Sequence, residues 1–445
     1  MQKNTLGQKI TLGILGLGTV GAGTVNVLQR NVEKITARSG VDIQVKSALV
    51  RSLEGKRACE CSDISLTTNA DDILNDPEID VVVELIGGDT LAKTYIEKAI
   101  AQKKHIVTAN KALIAKYGNE LFAAAEAQNV LIAYEASVAG GISIIKALRE
   151  GLAANQIEFI AGIINGTSNF ILTEMLEKKR DFADVLAEAQ ELGYAEADPT
   201  FDVEGIDAAH KLAILAAIGF GMPIDFEAVY TQGISEISVN DLEYAQELGY
   251  RVKHLGVAKQ TSAGLEMRVH PTLIPEKRLI ANVNGVMNAV LVRGDAVGNT
   301  LHYGAGAGAE PTASSVVADI LDVVRHIKSQ ANVDASVPHL GFAADTLTAM
   351  PAVHSEDFTC GFYLRIEVND EPGVMAQVTQ IFAEQAISIE AVIQKEPIDG
   401  DKTVKIILLT HECQEKLVDA CIEKIQALAT VQNDVVKIRV EHLNG

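Results

Sequence analysis

Asp207 and Lys211 have a spacing that suggests chemistry, because they lie four positions apart in a predicted helix. Side chains at that spacing share one face of an α-helix. Taken alone, the spacing favours an exposed ion pair, which contributes only about 0.2–0.5 kcal/mol to stability. However, the rest of the helix is apolar, and a turn with Glu196 and Asp198 precedes it. A lysine partly removed from water can donate or accept a proton near neutral pH, as the reduction of a carbonyl group requires.

The segment Gly16-Leu17-Gly18-Thr19-Val20-Gly21 has the pattern G-x-G-x-x-G. An apolar run that predicts a buried strand precedes it, and a periodic apolar segment that predicts a helix follows it. Gly16 would allow a tight turn, Gly18 the approach of backbone to a pyrophosphate, and Gly21 close packing of helix on strand. Because this context gives the pattern its meaning, it predicts dinucleotide binding by Gly16, Gly18, Thr19, Val20 and Gly21.

Arg51 follows the second predicted strand, 43–50, and has Lys56 and Arg57 nearby. NAD-binding units have an acidic residue after this strand to bind the ribose hydroxyls, whereas a cation suits the 2′-phosphate of NADP. Arg51 therefore favours acceptance of NADP, and a solvated basic loop is the alternative.

Strands and helices continue to alternate up to residue 136, which predicts a doubly wound parallel sheet and an α/β fold. The further strands are predicted over 79–85, 105–108 and 130–134, and the helices over 91–103 and 113–128. Ligands of such sheets lie at the carboxyl ends of the strands, and Gly87, Gly88, Asn110, Lys111 and Glu135 fall there. Lys111 begins a predicted helix, where the helix dipole disfavours a cation, so a functional role is favoured over a helix-entry charge.

The remainder of the chain predicts three further parts. Mixed strands and helices indicate an α+β substrate domain over 137–311, and a second glycine loop lies at 304–313. A helix over 312–329 could return to the first domain, and 330–357 resembles a linker because it has prolines and no long period. Residues 358–445 predict a βαββαβ unit, with a turn at Asp399-Gly400 between its second and third strands.

The composition excludes several classes of protein. The 445 residues suggest about three domains, and the net charge of −21 argues against sequence-independent nucleic-acid binding. The first nine residues have no apolar signal core, and the longest apolar stretch is too short to span a bilayer. Five scattered cysteines favour reduced thiols, so we expect a cytoplasmic protein without membrane partners. Three histidines lack neighbours typical of a metal site and are interpreted as packing or surface residues: His105, His210 and His302.

Taken together, these segments resemble homoserine dehydrogenases that carry a C-terminal ACT domain. Besides the glycine pattern, the resemblance rests on residues 108–113, 165–169, 193–199, 202–211 and 304–313, and it covers essentially the whole chain. It implies NAD(P)-dependent interconversion of L-homoserine and L-aspartate 4-semialdehyde, on the route to threonine, methionine and isoleucine.

The resemblance also implies roles for individual residues. Lys211 would be the proton donor and acceptor, Asp207 and Glu196 would hold the ammonium and hydroxyl of the substrate, and Gly193 would line the same pocket. Lys111 would be a second active-site lysine near the nicotinamide, and Gly308 would contact the cofactor.

A monovalent-cation loop of the family matches Glu135, Val138, Gly140 and Ile142. One carboxylate with backbone carbonyls is a set of oxygen ligands that suits sodium. An elbow between domains that contains an incidental glutamate is an equally open interpretation.

The turn Asn369-Asp370-Glu371-Pro372-Gly373-Val374 resembles the amino-acid-binding loop of ACT domains. We expect Asn369, Asp370, Gly373 and Val374 to bind an effector, L-threonine, at a site shared by a pair of domains in a homodimer or homotetramer. An ordinary Pro-Gly turn that serves only dimerisation is the alternative.

Two other functions are considered. A dehydrogenase that reduces an acyl phosphate needs a nucleophilic cysteine, and no cysteine lies between residues 62 and 359. A non-catalytic amino-acid sensor would tolerate the loss of Lys211 or Asp207, and both are present.

Overall fold

The computed structural model describes residues 9–330, 333, 336–396 and 402–443. The chain forms two compact units. Unit 1 comprises Met1–Gly166, Asp207–Ala228 and Val286–Met350, and unit 2 comprises Thr167–Ile206, Val229–Gly285 and Pro351–Gly445. The turn predicted at Asp399-Gly400 lies outside the described residues.

A six-stranded parallel sheet forms the centre of unit 1, in the order β3-β2-β1-β4-β5-β6. Its strands are β1 (Lys9–Leu15), β2 (Asp42–Leu49), β3 (Ser65–Thr67), β4 (Val81–Glu84), β5 (His105–Thr108) and β6 (Ile132–Ala133). The helices between them are α1 (Thr19–Arg30), α2 (Val32–Ser39), α3 (Asp71–Leu74), α4 (Thr90–Ala101) and α5 (Lys111–Ala127). The strand order reverses at β1, and the predicted doubly wound parallel sheet is confirmed.

The rest of unit 1 combines helices with a small antiparallel sheet. The elements are α6 (Ile144–Lys146), β7 (Ile157–Ile163), α10 (Ile206–Phe220), β11 (Met287–Gly294), β12 (Gly298–Ala305) and α12 (Ala309–Ser329). β11 pairs with both β7 and β12 in antiparallel register. α12 packs in the same hydrophobic core as β1 and β2, through Val316, Ile320 and Val324.

Part of the predicted linker, around His339, packs against β6 and α5 of unit 1. His339 is buried, its Nε2 accepts a hydrogen bond of 3.1 Å from the backbone of Ile132, and its ring stacks on Phe122.

Unit 2 is built on a mixed sheet in the order β9-β10-β17-β13-β15-β14. Its strands are β8 (Tyr230–Thr231), β9 (Tyr250–Thr261), β10 (Gly264–Pro275), β13 (Thr359–Asn369), β14 (Ile389–Gln394), β15 (Thr403–Thr410), β16 (Cys413–Gln414) and β17 (Val436–Val440). Its helices are α7 (Gly166–Lys178), α8 (Phe182–Glu191), α9 (Thr200–Val203), α11 (Val239–Glu247), α13 (Val374–Glu384) and α14 (Glu415–Gln426).

The C-terminal part of unit 2 has the predicted βαββαβ order, β13-α13-β14-β15-α14-β17. Its last strand also pairs in parallel with β10, where Leu273 lies opposite Val440. The C-terminal βαββαβ segment therefore shares one sheet with β9 and β10. None of the helices in the described part of the chain is long and apolar enough to cross a membrane.

Candidate active site

Two lysines and one aspartate of unit 1 form a buried ionic cluster. Nζ of Lys111 lies 2.8 Å from Oδ1 of Asp207, and Nζ of Lys211 lies 2.7 Å from Oδ2 of the same carboxylate. The side chain of Asp207 is 3% exposed and that of Lys111 34% exposed, so the cluster is deep but open on the side of Lys111. We call Lys111, Asp207 and Lys211 the lysine–aspartate cluster.

The backbone that follows β7 completes the cluster. Lys211 donates a hydrogen bond of 2.7 Å to the carbonyl oxygen of Ile164, and Nδ2 of Asn165 donates one of 2.8 Å to Oδ2 of Asp207. Neither contact is predicted from the sequence. The signal that could have found Asn165 is its position two residues after the end of a buried apolar strand, where its polar side chain is itself buried.

α10 and α5 position the three side chains. α10 is buried along nearly its whole length, which holds Asp207 and Lys211 on one buried face. α5 begins at Lys111 because Oδ1 of Asn110 caps it, accepting a hydrogen bond of 3.1 Å from the backbone of Leu113. A cation at this end of a helix opposes the helix dipole, and the carboxylate of Asp207 compensates for it.

The electrostatic environment keeps Asp207 ionised. Burial by itself would raise the pKa of this carboxyl group, but the charges of Lys211 and Lys111 outweigh burial and hold its pKa well below the ordinary value. Two ammonium groups thus face one carboxylate. Such a cluster can stabilise negative charge on a substrate oxygen, and a lysine in it can transfer a proton.

Gly193 and Glu196 belong to unit 2 and lie on the exposed turn that follows α8. Gly193 has a φ of +75°, which ends the helix in the left-handed region that glycine tolerates best. The backbone carbonyl of Glu196 accepts a hydrogen bond of 3.0 Å from the side chain of Gln190.

The glycine loop after β1 has the geometry that a dinucleotide requires. Gly16 has a φ of +104°, and a Cβ on Gly21 would lie 2.0 Å from the carbonyl oxygen of Gly16. A Cβ on Gly18 would meet nothing within 4 Å, so its backbone borders open space at the start of α1, next to Thr19 and Val20. These residues fit a pyrophosphate on the helix N-terminus.

The other predicted cofactor residues lie on the same unit. Arg51 is exposed just beyond β2, the strand next to β1, and Gly308 has a φ of +126° immediately before α12. Gly87 and Gly88, after β4, have φ values of +70° and +72°, and added Cβ atoms there would meet nothing within 4 Å.

The predicted cation loop is buried and turns sharply at Gly140, where φ is +42°. Both carboxylate oxygens of Glu135 accept backbone hydrogen bonds, of 2.9 Å from Ile145 and 2.8 Å from Lys146. The carbonyl oxygen of Gly140 accepts one of 2.7 Å from Ser315. Within the described residues, no three or more His, Cys, Asp or Glu side chains are grouped so that they could hold a metal ion.

The predicted effector loop of unit 2 lies between β13 and α13. Asp370 and Gly373 are exposed, Val374 is buried, and Gly373 has a φ of +97° at the start of α13. The backbone of Asn369 is fixed by a hydrogen bond of 2.8 Å to the carbonyl oxygen of Thr430.

Comparisons with known proteins identify the family. A family model described as homoserine dehydrogenase matches residues 144–321, and one for the NAD-binding domain of homoserine dehydrogenase matches residues 16–135. A homoserine dehydrogenase of Pseudomonas aeruginosa is 58% identical over 435 residues, which are 98% of this chain and 99% of that protein. The chain belongs to the homoserine dehydrogenase family.

Further comparisons agree with this assignment to the homoserine dehydrogenase family. An ACT domain model matches residues 362–430. The crystal structure of a homoserine dehydrogenase from Thiobacillus denitrificans has a TM-score of 0.93 and 58% identity, and the match covers 98% of this chain and 99% of that one. A hyperthermophilic archaeal homoserine dehydrogenase in complex with NADPH has a TM-score of 0.61 and 26% identity, over 73% of this chain and 99% of that one. The predicted family, its NAD(P)-dependent oxidoreductase class and its ACT domain are confirmed.

Proposed function

We propose that the protein interconverts L-homoserine and L-aspartate 4-semialdehyde with NADP or NAD. The observation that supports this most strongly is the lysine–aspartate cluster, in which Asp207 lies 2.8 Å from Lys111 and 2.7 Å from Lys211. The partly exposed Lys111 follows the carboxyl end of β5, the edge of a doubly wound sheet at which ligands bind.

When bound at the glycine loop, the nicotinamide cofactor would supply a hydride to the carbonyl carbon in aldehyde reduction and would accept it back in homoserine oxidation. Lys211 donates a proton from its ammonium group to the carbonyl oxygen, and the C=O double bond becomes a C–O single bond with a hydroxyl group. In homoserine oxidation neutral Lys211 takes that proton back. Asp207 orients both lysines, Lys111 stabilises the negative charge that develops on oxygen, and Glu196 and Gly193 contribute to substrate binding.

The direct test of this activity is to mix the protein with L-homoserine and NADP, and separately with NAD, and to follow the absorbance of the reduced nicotinamide. L-serine, which is one methylene shorter, is the control. We expect turnover with homoserine and little with serine. No reduced nicotinamide with either cofactor would refute the proposal.

For the cofactor we propose that its pyrophosphate contacts Gly16, Gly18, Thr19, Val20 and Gly21. Lys111 lies near its nicotinamide, and Gly308 contacts the cofactor at a further point. The open space over Gly18 and the tight approach of Gly21 to Gly16 support this fit. Exposed Arg51 beyond β2 is suited to a 2′-phosphate, and NADPH is bound by the archaeal relative.

For the cation we propose sodium, bound by the carboxylate of Glu135 and by carbonyl oxygens of the buried loop that contains Val138, Gly140 and Ile142. Each carboxylate oxygen of Glu135 accepts one backbone N–H group, which holds the loop in shape and leaves further lone pairs for a cation. The test measures turnover as sodium chloride replaces choline chloride at constant ionic strength. A rate that saturates with sodium supports the site, and a flat response refutes it.

For regulation we propose that the ACT domain binds L-threonine at Asn369, Asp370, Gly373 and Val374, at a site shared within a homodimer or homotetramer. The support is the exposed loop between β13 and α13. Because β17 pairs with β10, a point variant disturbs unit 2 less than a truncation near residue 350 would.

Asp370→Ala should weaken inhibition by threonine and leave uninhibited turnover unchanged, whereas Glu412→Ala, an exposed acidic residue outside the loop, should change neither. Light scattering with and without threonine measures the oligomer. If millimolar threonine changes neither the rate nor the melting temperature, the proposal that threonine is the effector is refuted.

We also propose a division into four parts. Residues 1–136 and helix 312–329 form the NAD(P)-binding domain, and residues 137–311 form the substrate-binding, catalytic and dimerisation domain. Residues 330–357 are a linker, and residues 358–445 are the ACT domain. The matched family ranges and the packing of α12 on β1 support it. Five free thiols support a reducing, cytoplasmic location, and the reaction fits the route to threonine, methionine and isoleucine.

A further inference from the structure

We propose that Glu84 is a positioning residue for the reaction, because its buried carboxylate fixes the backbone from which Lys111 reaches Asp207. This inference rests on the proposed function, since it concerns the lysine to which that function assigns a role. The carboxylate of Glu84 accepts hydrogen bonds from Thr108 and from the backbone of Ile86, so it would act on Lys111 through its neighbours.

The register of the sheet brings Glu84 to Thr108. They are the last residues of β4 and β5, they lie directly opposite each other in the parallel pair, and both are fully buried. Paired residues of adjacent strands point to the same face of a sheet. The two side chains therefore meet at the carboxyl edge, where ligands of this fold bind.

Both oxygens of the Glu84 carboxylate accept hydrogen bonds. The hydroxyl of Thr108 donates to Oε2 at 2.7 Å, and the backbone N–H of Ile86 donates to Oε1 at 2.9 Å. Oγ1 of Thr108 in turn accepts a hydrogen bond of 3.0 Å from the backbone of Asn110. Because the hydroxyl hydrogen of Thr108 points at the carboxylate, a lone pair of its oxygen stays directed at the backbone N–H of Asn110.

Asn110 carries this constraint to Lys111. Its side-chain N–H donates a hydrogen bond of 2.5 Å to the carbonyl oxygen of Gly88, and its Oδ1 caps α5 through Leu113. The next residue is Lys111, whose Nζ lies 2.8 Å from Asp207. Glu84 thus holds the turn at Gly88 and the first residue of α5 in one hydrogen-bonded arrangement.

The rest of β4 shows that an acidic residue is not needed for packing. Val81, Val82 and Val83 fill the other positions, and all are fully buried. A buried carboxyl group is costly unless hydrogen bonds compensate for it. Burial raises the pKa of Glu84, and hydrogen bonds from Thr108 and the backbone of Ile86 oppose that rise. The cost of burying a carboxyl group is therefore accepted in β4 at Glu84, the position that lies opposite Thr108 and accepts its hydrogen bond.

The test is a double-mutant cycle of Glu84→Gln and Lys111→Ala, with kcat, KM for homoserine and melting temperature measured for each variant. Glu84→Gln should lower kcat roughly tenfold in the parent enzyme and have little further effect once Lys111 is removed. Thr108→Val, which removes the same hydroxyl link at nearly constant shape, should reproduce the loss. Asp80→Asn is the matched control, because Asp80 accepts a backbone hydrogen bond of 2.8 Å from Thr11 at the opposite end of β4. It should leave kcat unchanged.

Equal fold losses from Glu84→Gln with and without Lys111 would overturn the positioning role, as would a lower melting temperature at full kcat. A parent enzyme without activity on homoserine, or Lys111→Ala with full activity, would instead refute the proposed function. The two failures are therefore separate outcomes of one set of measurements.

Discussion

Each unit buries an ionic cluster, but the two clusters have opposite compositions. In unit 1 one carboxylate, Asp207, lies between two lysines. In unit 2 one guanidinium, Arg268, lies between two carboxylates, with Nη2 2.6 Å from Glu441 and 3.0 Å from Glu266. Arg268 is completely buried, whereas Lys111 is 34% exposed. Burial of charge is common to both clusters, so it does not by itself mark an active site.

The difference between the clusters lies in the cation and its accessibility. An arginine does not release its proton in proteins, and its five N–H groups suit it to fix several acceptors at once. Arg268 joins β10 to Glu441, just beyond β17, and so stabilises unit 2. A lysine can exchange its proton, and the lysine–aspartate cluster is open to a ligand. We therefore expect variants of the lysine–aspartate cluster to change the rate and variants of Arg268 to change stability.

The largest expected effect is on turnover in Lys211→Ala. Removal of a positioned acid–base group should lower kcat by roughly 10²–10⁴, while the dissociation constant of the cofactor stays nearly unchanged. Steady-state kinetics and cofactor titration measure the two quantities. Lys104→Met is the control, because Lys104 is also buried in unit 1 but donates to the carbonyl oxygens of Asp76 and Ile79. It should change stability and leave kcat intact, and similar kcat losses in both variants would refute a specific role of Lys211.

Arg268→Met should have the largest effect on stability. Removal of the guanidinium leaves Glu266 and Glu441 without their buried partner, and the free energy of unfolding should fall by about 3–5 kcal/mol. Turnover per folded molecule should not change. In the control Lys424→Met, the lost ion pair with Glu384 is exposed and should cost no more than about 1 kcal/mol. Denaturant unfolding checks both values, and equal losses would contradict the structural role of Arg268.

The pH dependence of the rate should have opposite signs in the two directions. Homoserine oxidation needs neutral Lys211 and should rise with pH by up to about tenfold per unit, while aldehyde reduction should fall. Asp207 adds no ionisation near neutral pH, because the lysines hold its pKa below the ordinary value. For the same reason its contribution to stability is present above about pH 3.9 and is lost only as pH falls toward the lower folded pKa. Identical profiles in both directions would contradict a single acid–base group.

The smallest expected effect belongs to Arg51→Ala. Loss of the guanidinium should raise KM for NADP several-fold and leave KM for NAD nearly unchanged. Arg38→Ala, an exposed arginine on α2, should change neither value. An equal loss for both cofactors would mean that Arg51 holds the loop and does not bind the 2′-phosphate.

Strands with a clear apolar pattern were predictable even where a charged residue interrupts them, as Lys46 does in β2, whereas β9 was not. β5 was predicted to the residue, because an apolar run ends there at polar residues. β9 was missed because Arg251, Lys253 and His254 interrupt its pattern, although Lys253 is buried and donates to the carbonyl oxygen of Val283. Residues 144–151 are helical, with an α-helical turn at Ile144–Lys146 and a π-helical turn at Ala147–Gly151 that the sequence does not distinguish. The sequence pattern of a segment does not show its tertiary partners, and these partners determine whether a charged residue can lie in a buried strand or which type of helical turn forms.

For the site, the sequence supplied the candidates but not their geometry. The spacing of Asp207 and Lys211 predicted that they share a face, and they do. The contact of Lys111 with Asp207 depends on the tertiary fold, which brings the start of α5 to the start of α10, and has no local signal. Ile164 acts through its backbone carbonyl, which any residue provides, so no residue type could reveal it. The roles assigned to these residues and to the cofactor, cation and effector residues stay predictions.

The central claim is that the amine of Lys211 transfers the proton in the reaction. Chemical rescue of Lys211→Ala tests it most directly, because an added amine restores turnover only if a proton-transferring amine is needed at this position. The variant is assayed for homoserine oxidation with NADP while methylamine or ethylamine is added at constant pH and ionic strength. We predict very low turnover without amine and a rate that rises with the concentration of the neutral amine, with no such rise for the parent enzyme. Turnover close to that of the parent without any amine would contradict the assignment of Lys211 as the acid–base group.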